Sequence, residues 1–196
     1  MKRLENAIAY MVKIQTQLTG RGVSQTYIYK YLALIDFKAL EESGKPVFDL
    51  DYVAMTKGPV PSELYDNRDE IVDNENFFDA IKLVSDSDGN YWFECKQEPN
   101  LDYLSDYEIE LIESTVGEFA SKGKRLTSND VVDATHVRIK AWQRAWENRG
   151  DSGRVTMNPL HTFDNLLQKK EEDLSPVEET ALYYEAVKKF HKKKCV

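Results

Sequence analysis

What this chain lacks narrows its function first. Only two cysteines occur in 196 residues, Cys95 and Cys195. Two thiols so placed support neither a disulfide framework nor a zinc knuckle, so a reducing compartment, the cytoplasm, is expected. No stretch approaches the roughly 18 consecutive apolar residues needed to cross a bilayer, and the opening Met1-Lys2-Arg3-Leu4-Glu5-Asn6 is too polar for a secretory signal. No membrane partner is expected. The three histidines, His136, His161 and His191, are scattered, and none has a cysteine or second histidine at ligand spacing. There is no phosphate-binding loop, dinucleotide fingerprint, nucleophile elbow or HExxH helix. Pairs such as Asp49 and Asp51, or Glu41 and Glu42, read as surface charge rather than a tuned acid and base. The expectation is a protein that is not an enzyme, with no catalytic residues, no metal and no cofactor.

What is present fits a globular domain. The chain is 41% hydrophobic and 31% charged, and its length suits one sizeable core. A net charge of -8 argues against nucleic acid as a partner, because neutralising phosphates is the main source of non-specific affinity. Lysines gather at Lys188, Lys189, Lys192, Lys193 and Lys194. They follow a helical pattern and read as a solvated terminus that complements the negative helix end.

The periodicity predicts a mainly α-helical α+β fold, with five or six helical segments and a small antiparallel hairpin or sheet. Leu4, Ile8, Met11 and Val12 mark a first helix stopped near Gly20 and Gly22. A second starts at Ser24, buries Ile28, Tyr31, Leu32, Ile35 and Leu40, and ends at Gly44. Tyr27, Tyr29 and Tyr31 cover more than one face of it, so at least one ring is expected to be exposed or at a contact. Residues 80–84 and 91–95 flank an Asp-Gly turn and predict a hairpin. The acidic turn itself lacks the bidentate glutamate of a calcium loop. Ser105 and Glu108 form a capping box ahead of Ile109, Ile112, Val116 and Phe119, a helix expected to pack centrally. Another helix begins near Thr127, and Ser175-Pro176 with Glu178 opens a last one.

The most informative stretch is 46–66, PVFDLDYVAMTKGPVPSELYD. Residues 51–56 alternate as a short strand. Gly58, Pro59 and Pro61 then predict a rigid corner through which neither strand nor helix passes, with Pro61 in the first turn of a helix that presents Leu64, Tyr65, Ile71 and Val72. Further on, Trp142 and Trp146 lie four apart and share a helical face with Ile139, rimmed by Arg138, Arg144 and Arg149. That face reads either as a core stripe or as a protein contact. His136 reads as a hydrogen-bonding group in the helix connection.

Three blocks together resemble the SocA-like antitoxin, or Panacea, domain family. They are Pro46-Val47-Phe48-Asp49 followed by Ala54 to Pro61 and Leu64-Tyr65; Leu104-Ser105-Asp106; and Ala134-Thr135-His136 with Ala141 to Ala145. The resemblance covers roughly residues 1–150. Met55 stands where the family usually has an aromatic residue. The resemblance implies a protein that binds and neutralises a cognate toxin protein in a toxin–antitoxin pair, bacterial or phage. Alternatives are an adaptor presenting the toxin to an ATP-dependent protease and a DNA-associated regulator of its own operon. On the matching motifs it implies partner contacts at Lys57, Gly58, Pro59, Val60, Tyr65, His136 and Trp142. The expected organisation is a Panacea-like domain over 1–168 and a C-terminal helical extension over 169–196, the latter able to pack back through Tyr184, Val187 and Phe190 or to reach a partner.

Overall fold

Helix α2 (Gln25–Ser43) is apolar on almost every side, and a helix of that kind is stable only when surrounded. It forms the axis of the computed structural model, which describes residues 2–120 and 127–194, with side chains up to residue 191. Helices α1 (Lys2–Thr19), α5 (Asp106–Phe119), α6 (Ser128–Arg138) and α8 (Pro176–Lys194) complete the helical shell with the shorter α3 (Ser62–Asp66), α4 (Arg68–Asp73) and α7 (Lys140–Glu147). Contacts from α5, α6 and α8 all converge on α2. The fold is mainly helical α+β, as expected. The central position belongs to α2 rather than to α5, because α2 carries the longer apolar run. Cys195 and the side chains of Lys192, Lys193 and Lys194 lie outside the described residues.

Among the described residues the strands form two three-stranded antiparallel sheets. One has the order β1 (Val23–Ser24), β5 (Tyr91–Cys95), β4 (Ile81–Ser85); the other has the order β3 (Gly58–Pro61), β2 (Tyr52–Met55), β6 (Arg154–Thr156). The β4–β5 hairpin matches the sequence expectation, with Val84 opposite Trp92. Its turn is organised by Asp86, whose carboxylate accepts from the Asp88 and Asn90 backbone amides at 2.9 Å and from Trp92 Nε1 at 3.1 Å. These donors hold the Asp86 carboxyl down at about 2. Among the described residues no group of three or more His, Cys, Asp or Glu side chains is placed to hold a metal ion.

The corner at Gly58 to Pro61 is a strand, which corrects the sequence reading. Proline is tolerated on an edge strand when its missing N–H would have pointed away from the neighbour. Ser62 N–H donates to Asp51 O at 2.8 Å, and Val60 lies opposite Val53. Donor direction alternates along a strand, so Pro59 and Pro61 fall on the outward side of the ladder. Beyond it the expected single helix is two short ones, broken at Asn67, and Pro61 precedes the first rather than lying within it.

Tyr29 and Tyr31 are buried and Tyr27 is half-buried, so no ring of that series is freely exposed. The capping boxes at Ser105/Glu108 and Thr127/Asp130 are both formed. Buried polar groups on α1 are partnered: Glu5 accepts from the Asp79 amide at 2.6 Å, and Gln15 accepts from Tyr31 Oη at 2.8 Å.

Helix α8 is seated on α2 through Gly44. This residue ends α2 with φ +76°, its N–H donating to Leu40 O, and a Cβ there would stand 2.4 Å from Val177 O. Gly44→Ala is therefore expected to cost about 2–4 kcal/mol and to loosen the start of α8. Denaturant unfolding together with limited proteolysis near residues 169–176 checks this; an unchanged midpoint and cleavage pattern would show that the close approach is not needed. The basic end of α8 also differs from a wholly solvated terminus. Lys188 is mostly buried and reaches Asp49 at 2.5 Å and Asp51 at 3.2 Å.

Candidate functional site

The β2–β3 hairpin, the end of α6 and the start of α7 meet in one place. The chain reverses through Thr56 and Lys57, and the left-handed backbone angle falls on Gly58 at φ +90°. A Cβ on Gly58 would lie 2.5 Å from Thr135 Oγ1, 3.3 Å from Lys30 Cε and 3.4 Å from His136 Nε2. Only glycine lets the hairpin approach α2 and α6 so closely.

Beneath the hairpin is a group the sequence reading did not single out. Lys30 on α2 is 2% exposed, and its ammonium donates to Pro59 O at 2.7 Å. That carbonyl is on the outward side of β3, where no strand follows, so the lysine supplies the missing edge donor. Burial, reinforced by the charge of Lys57, brings the Lys30 amine down to about 7. A sequence signal existed: Ile28 to Ile35 is apolar except at Lys30, so a run buried on every side takes that lysine inside, whereas Lys38 lies beyond the run and is exposed.

Beside the hairpin the aromatic groups form a stack. The imidazole of His136 lies flat on Trp142, with centroids 3.9 Å apart and planes 7° apart. Trp142 in turn stacks on Trp146 at 5.9 Å, and the Arg149 guanidinium lies 4.1 Å over Trp146. Trp142 Nε1 donates to Met55 O at 3.2 Å, fastening the stack to the hairpin. His136 does not use its ring to bond the helix connection, as the sequence had suggested. Its Nε2 is buried without a hydrogen-bond partner, and burial with the nearby Lys30 charge lowers its pKa. The connection is made instead by Gln143, whose Nε2 donates to His136 O at 2.7 Å and to Val137 O at 3.0 Å.

The seven candidate residues thus divide by exposure. Gly58, Pro59, Val60 and Trp142 are buried, His136 and Tyr65 are half-buried, and Lys57 is exposed. Lys57, Gly58, Pro59, His136 and Trp142 share one locality. Tyr65 stands apart in a second group, where Arg68 lies 4.4 Å from the Tyr65 centroid and 5.4 Å from that of Tyr91. Trp146 and Arg149 extend the first group toward solvent, and the four-residue spacing of the two tryptophans is the signal that points to them.

Residues 28–143 match the family described as antitoxin SocA-like, Panacea domain. The chain belongs to that family. The match takes in α2 from Ile28 onward, both sheets apart from β1 and β6, and the later helices through the first half of α7. It therefore contains every contact of the hairpin with Lys30, Thr135, His136 and Trp142, whereas Trp146, Arg149 and α8 lie beyond it. No curated protein and no solved structure matches the chain. In this Panacea domain, the GPVP motif is the edge strand that Lys30 and Thr135 hold in place, and the Thr-His and Trp motifs build the wall beside it. No helix among the described residues is long and apolar enough to cross a membrane.

Proposed function

We propose that this protein is a non-catalytic, cytoplasmic antitoxin that neutralises a cognate toxin protein by direct complex formation, using the surface that runs from Lys57 past His136 to Trp146 and Arg149. The family match carries the antitoxin role. The stack supports the location. It offers a half-buried tryptophan capped by an arginine, joined through Trp142 to a hairpin that carries an exposed lysine and whose conformation is fixed by packing. Tryptophan and arginine supply much of the energy of protein recognition, and a preorganised surface loses little entropy on binding. Gly58, Pro59, Val60 and Trp142 then act by holding that surface in shape, while Tyr65 lies at its margin.

Co-expression with the product of the adjacent reading frame tests the reading. Wild type is expected to restore growth, whereas the pair Lys57→Glu and Trp146→Ala, combined in one chain, is expected to lose rescue while retaining wild-type abundance. Full rescue by that variant would move the contact elsewhere. Failure of the wild type to rescue, or a harmless neighbour, would remove the antitoxin reading. Rescue that requires an ATP-dependent protease would favour the adaptor mechanism.

A further inference from the structure

Helix α8 carries apolar groups on two sides. On its inner side Ala181 is buried, Leu182 packs against the core, and Tyr184 and Val187 are half-buried. On its outer side Tyr183 is 72% exposed and Phe190 56% exposed, with the exposed Ala186 between them. Positions 183, 186 and 190 are three and four apart, so they form one stripe, and the exposed Glu179 extends it by a turn toward the helix start. Single exposed apolar side chains are ordinary. A stripe along two turns of the solvent side is not, because a helix that only has to cover a core needs apolar groups on one side. The other large apolar side chains exposed among the described residues, Tyr103, Tyr107, Val137 and Leu167, lie on four different elements.

Charge indicates what covers the stripe. Residues 169–179, which lead into α8 and open it, hold five acids against two lysines, whereas residues 188–194 at its end hold five lysines and no acid. Lys169 and Lys170 are taken up by Glu178 and Glu172, and Lys188 is turned inward to Asp49 and Asp51. Glu171, Asp173 and Glu179 remain exposed at one end and Lys189 at the other. The same helix from a second copy, run antiparallel, brings these unlike ends together; a parallel copy would set like against like. The ordering of charge also complements the dipole of the helix itself, but that leaves the aromatic stripe unexplained.

We infer that the outer face of α8 is a self-association surface, on which α8 of a second copy packs antiparallel with Ala186 at the two-fold axis. Such a pairing is self-complementary. Tyr183 of each copy then lies opposite Phe190 of the other, and Glu179 lies opposite the turn that holds Lys193. The small Ala186 at the crossing lets the axes approach to the usual separation of about 8–10 Å. One helix pair is small beside stable interfaces of about 1,200–2,000 Å², so the dimer is expected to dissociate in the micromolar range. Helix α8 lies beyond the matched residues 28–143, and this surface uses none of the residues of the toxin-binding reading, so the two stand or fall separately.

Sedimentation equilibrium of the full chain, from low to high micromolar concentration, measures the association. Wild type is expected to pass reversibly from monomer to dimer, with high salt weakening the dimer. Combining Tyr183→Ser with Phe190→Ser changes exposed positions only, so it is expected to weaken association by about tenfold or more while the unfolding midpoint stays close to that of wild type. The register is tested in a background with Cys95→Ser and Cys195→Ser. There Ala186→Cys is expected to cross-link two copies on oxidation with diamide, whereas Glu179→Cys is not, since in the antiparallel register the two 179 positions are about 20 Å apart along the helices. A monomer at every concentration would overturn the inference. So would undiminished association of the Tyr183→Ser, Phe190→Ser variant, or cross-linking through Glu179→Cys as readily as through Ala186→Cys. A monomeric chain whose complex with the adjacent-frame product is lost in the serine variant would also overturn it, and would give this face to the toxin.

Discussion

Gly58→Ala is expected to lower stability by about 3 kcal/mol or more, a large effect for the addition of one methyl group. Two causes act together. At φ +90° a residue with a Cβ is strained, and here that Cβ would stand 2.5 Å from Thr135 Oγ1. The Thr135 hydroxyl cannot simply turn away, because it is buried and donates to Val132 O at 2.6 Å. The two causes separate in a double-mutant cycle. Combining Gly58→Ala with Thr135→Ala should relieve the steric part and leave the backbone part, so the pair costs less than the sum of the single changes. Equilibrium urea unfolding of the four proteins measures this. A loss below about 1 kcal/mol for Gly58→Ala would mean that the hairpin relaxes away from α6 at little cost, and that its placement beside His136 is not fixed.

The second large effect is a dependence on pH set by Lys30. Its amine falls from 10.5 to about 7 on folding. Between those values the unfolded chain holds a proton that the folded chain has released, so stability rises as pH increases through that window. Below about pH 7 both states carry the proton and the contribution levels off at its least favourable value. The gain from pH 7 to pH 10 is about 3 kcal/mol, an order-of-magnitude figure for a group so deeply buried. Lys30→Met removes the titration and leaves Pro59 O without its donor, a pH-independent loss of about 1–3 kcal/mol. Subtracting the variant's stability profile from that of wild type cancels the other titrating groups. The difference should move in favour of wild type as pH rises from 7 to 10. Parallel profiles would show that Lys30 stays charged in the folded state or is hydrated there.

These two residues also show how far the sequence could be read. Gly58 stood out because glycine between a strand and two prolines demands a special backbone angle, and the angle is there. The prolines misled, since both remove donors and so argue against a strand; only the pairing of Ser62 with Asp51 reveals that the lost donors lie on an edge facing outward. Lys30 was passed over because a lysine on a helix is ordinarily solvated, as Lys38 on the same helix is, and the all-round burial of residues 28–37 becomes plain only once α5, α6 and α8 are packed against α2. The stack of Trp142 on Trp146 was legible from a spacing of four. The imidazole of His136 was not, because its place on Trp142 depends on the turn between α6 and α7, where Ile139 adopts an extended conformation and Gln143 bonds the exposed carbonyls.

The most direct test of the central claim is a binding measurement between the purified chain and the purified product of the adjacent reading frame, made with wild type and with the combined Lys57→Glu, Trp146→Ala variant. The account predicts a stable complex for wild type and an affinity at least about a hundredfold weaker for a variant that unfolds at the wild-type midpoint. Equal affinity for the two proteins, or no complex with wild type, would contradict it.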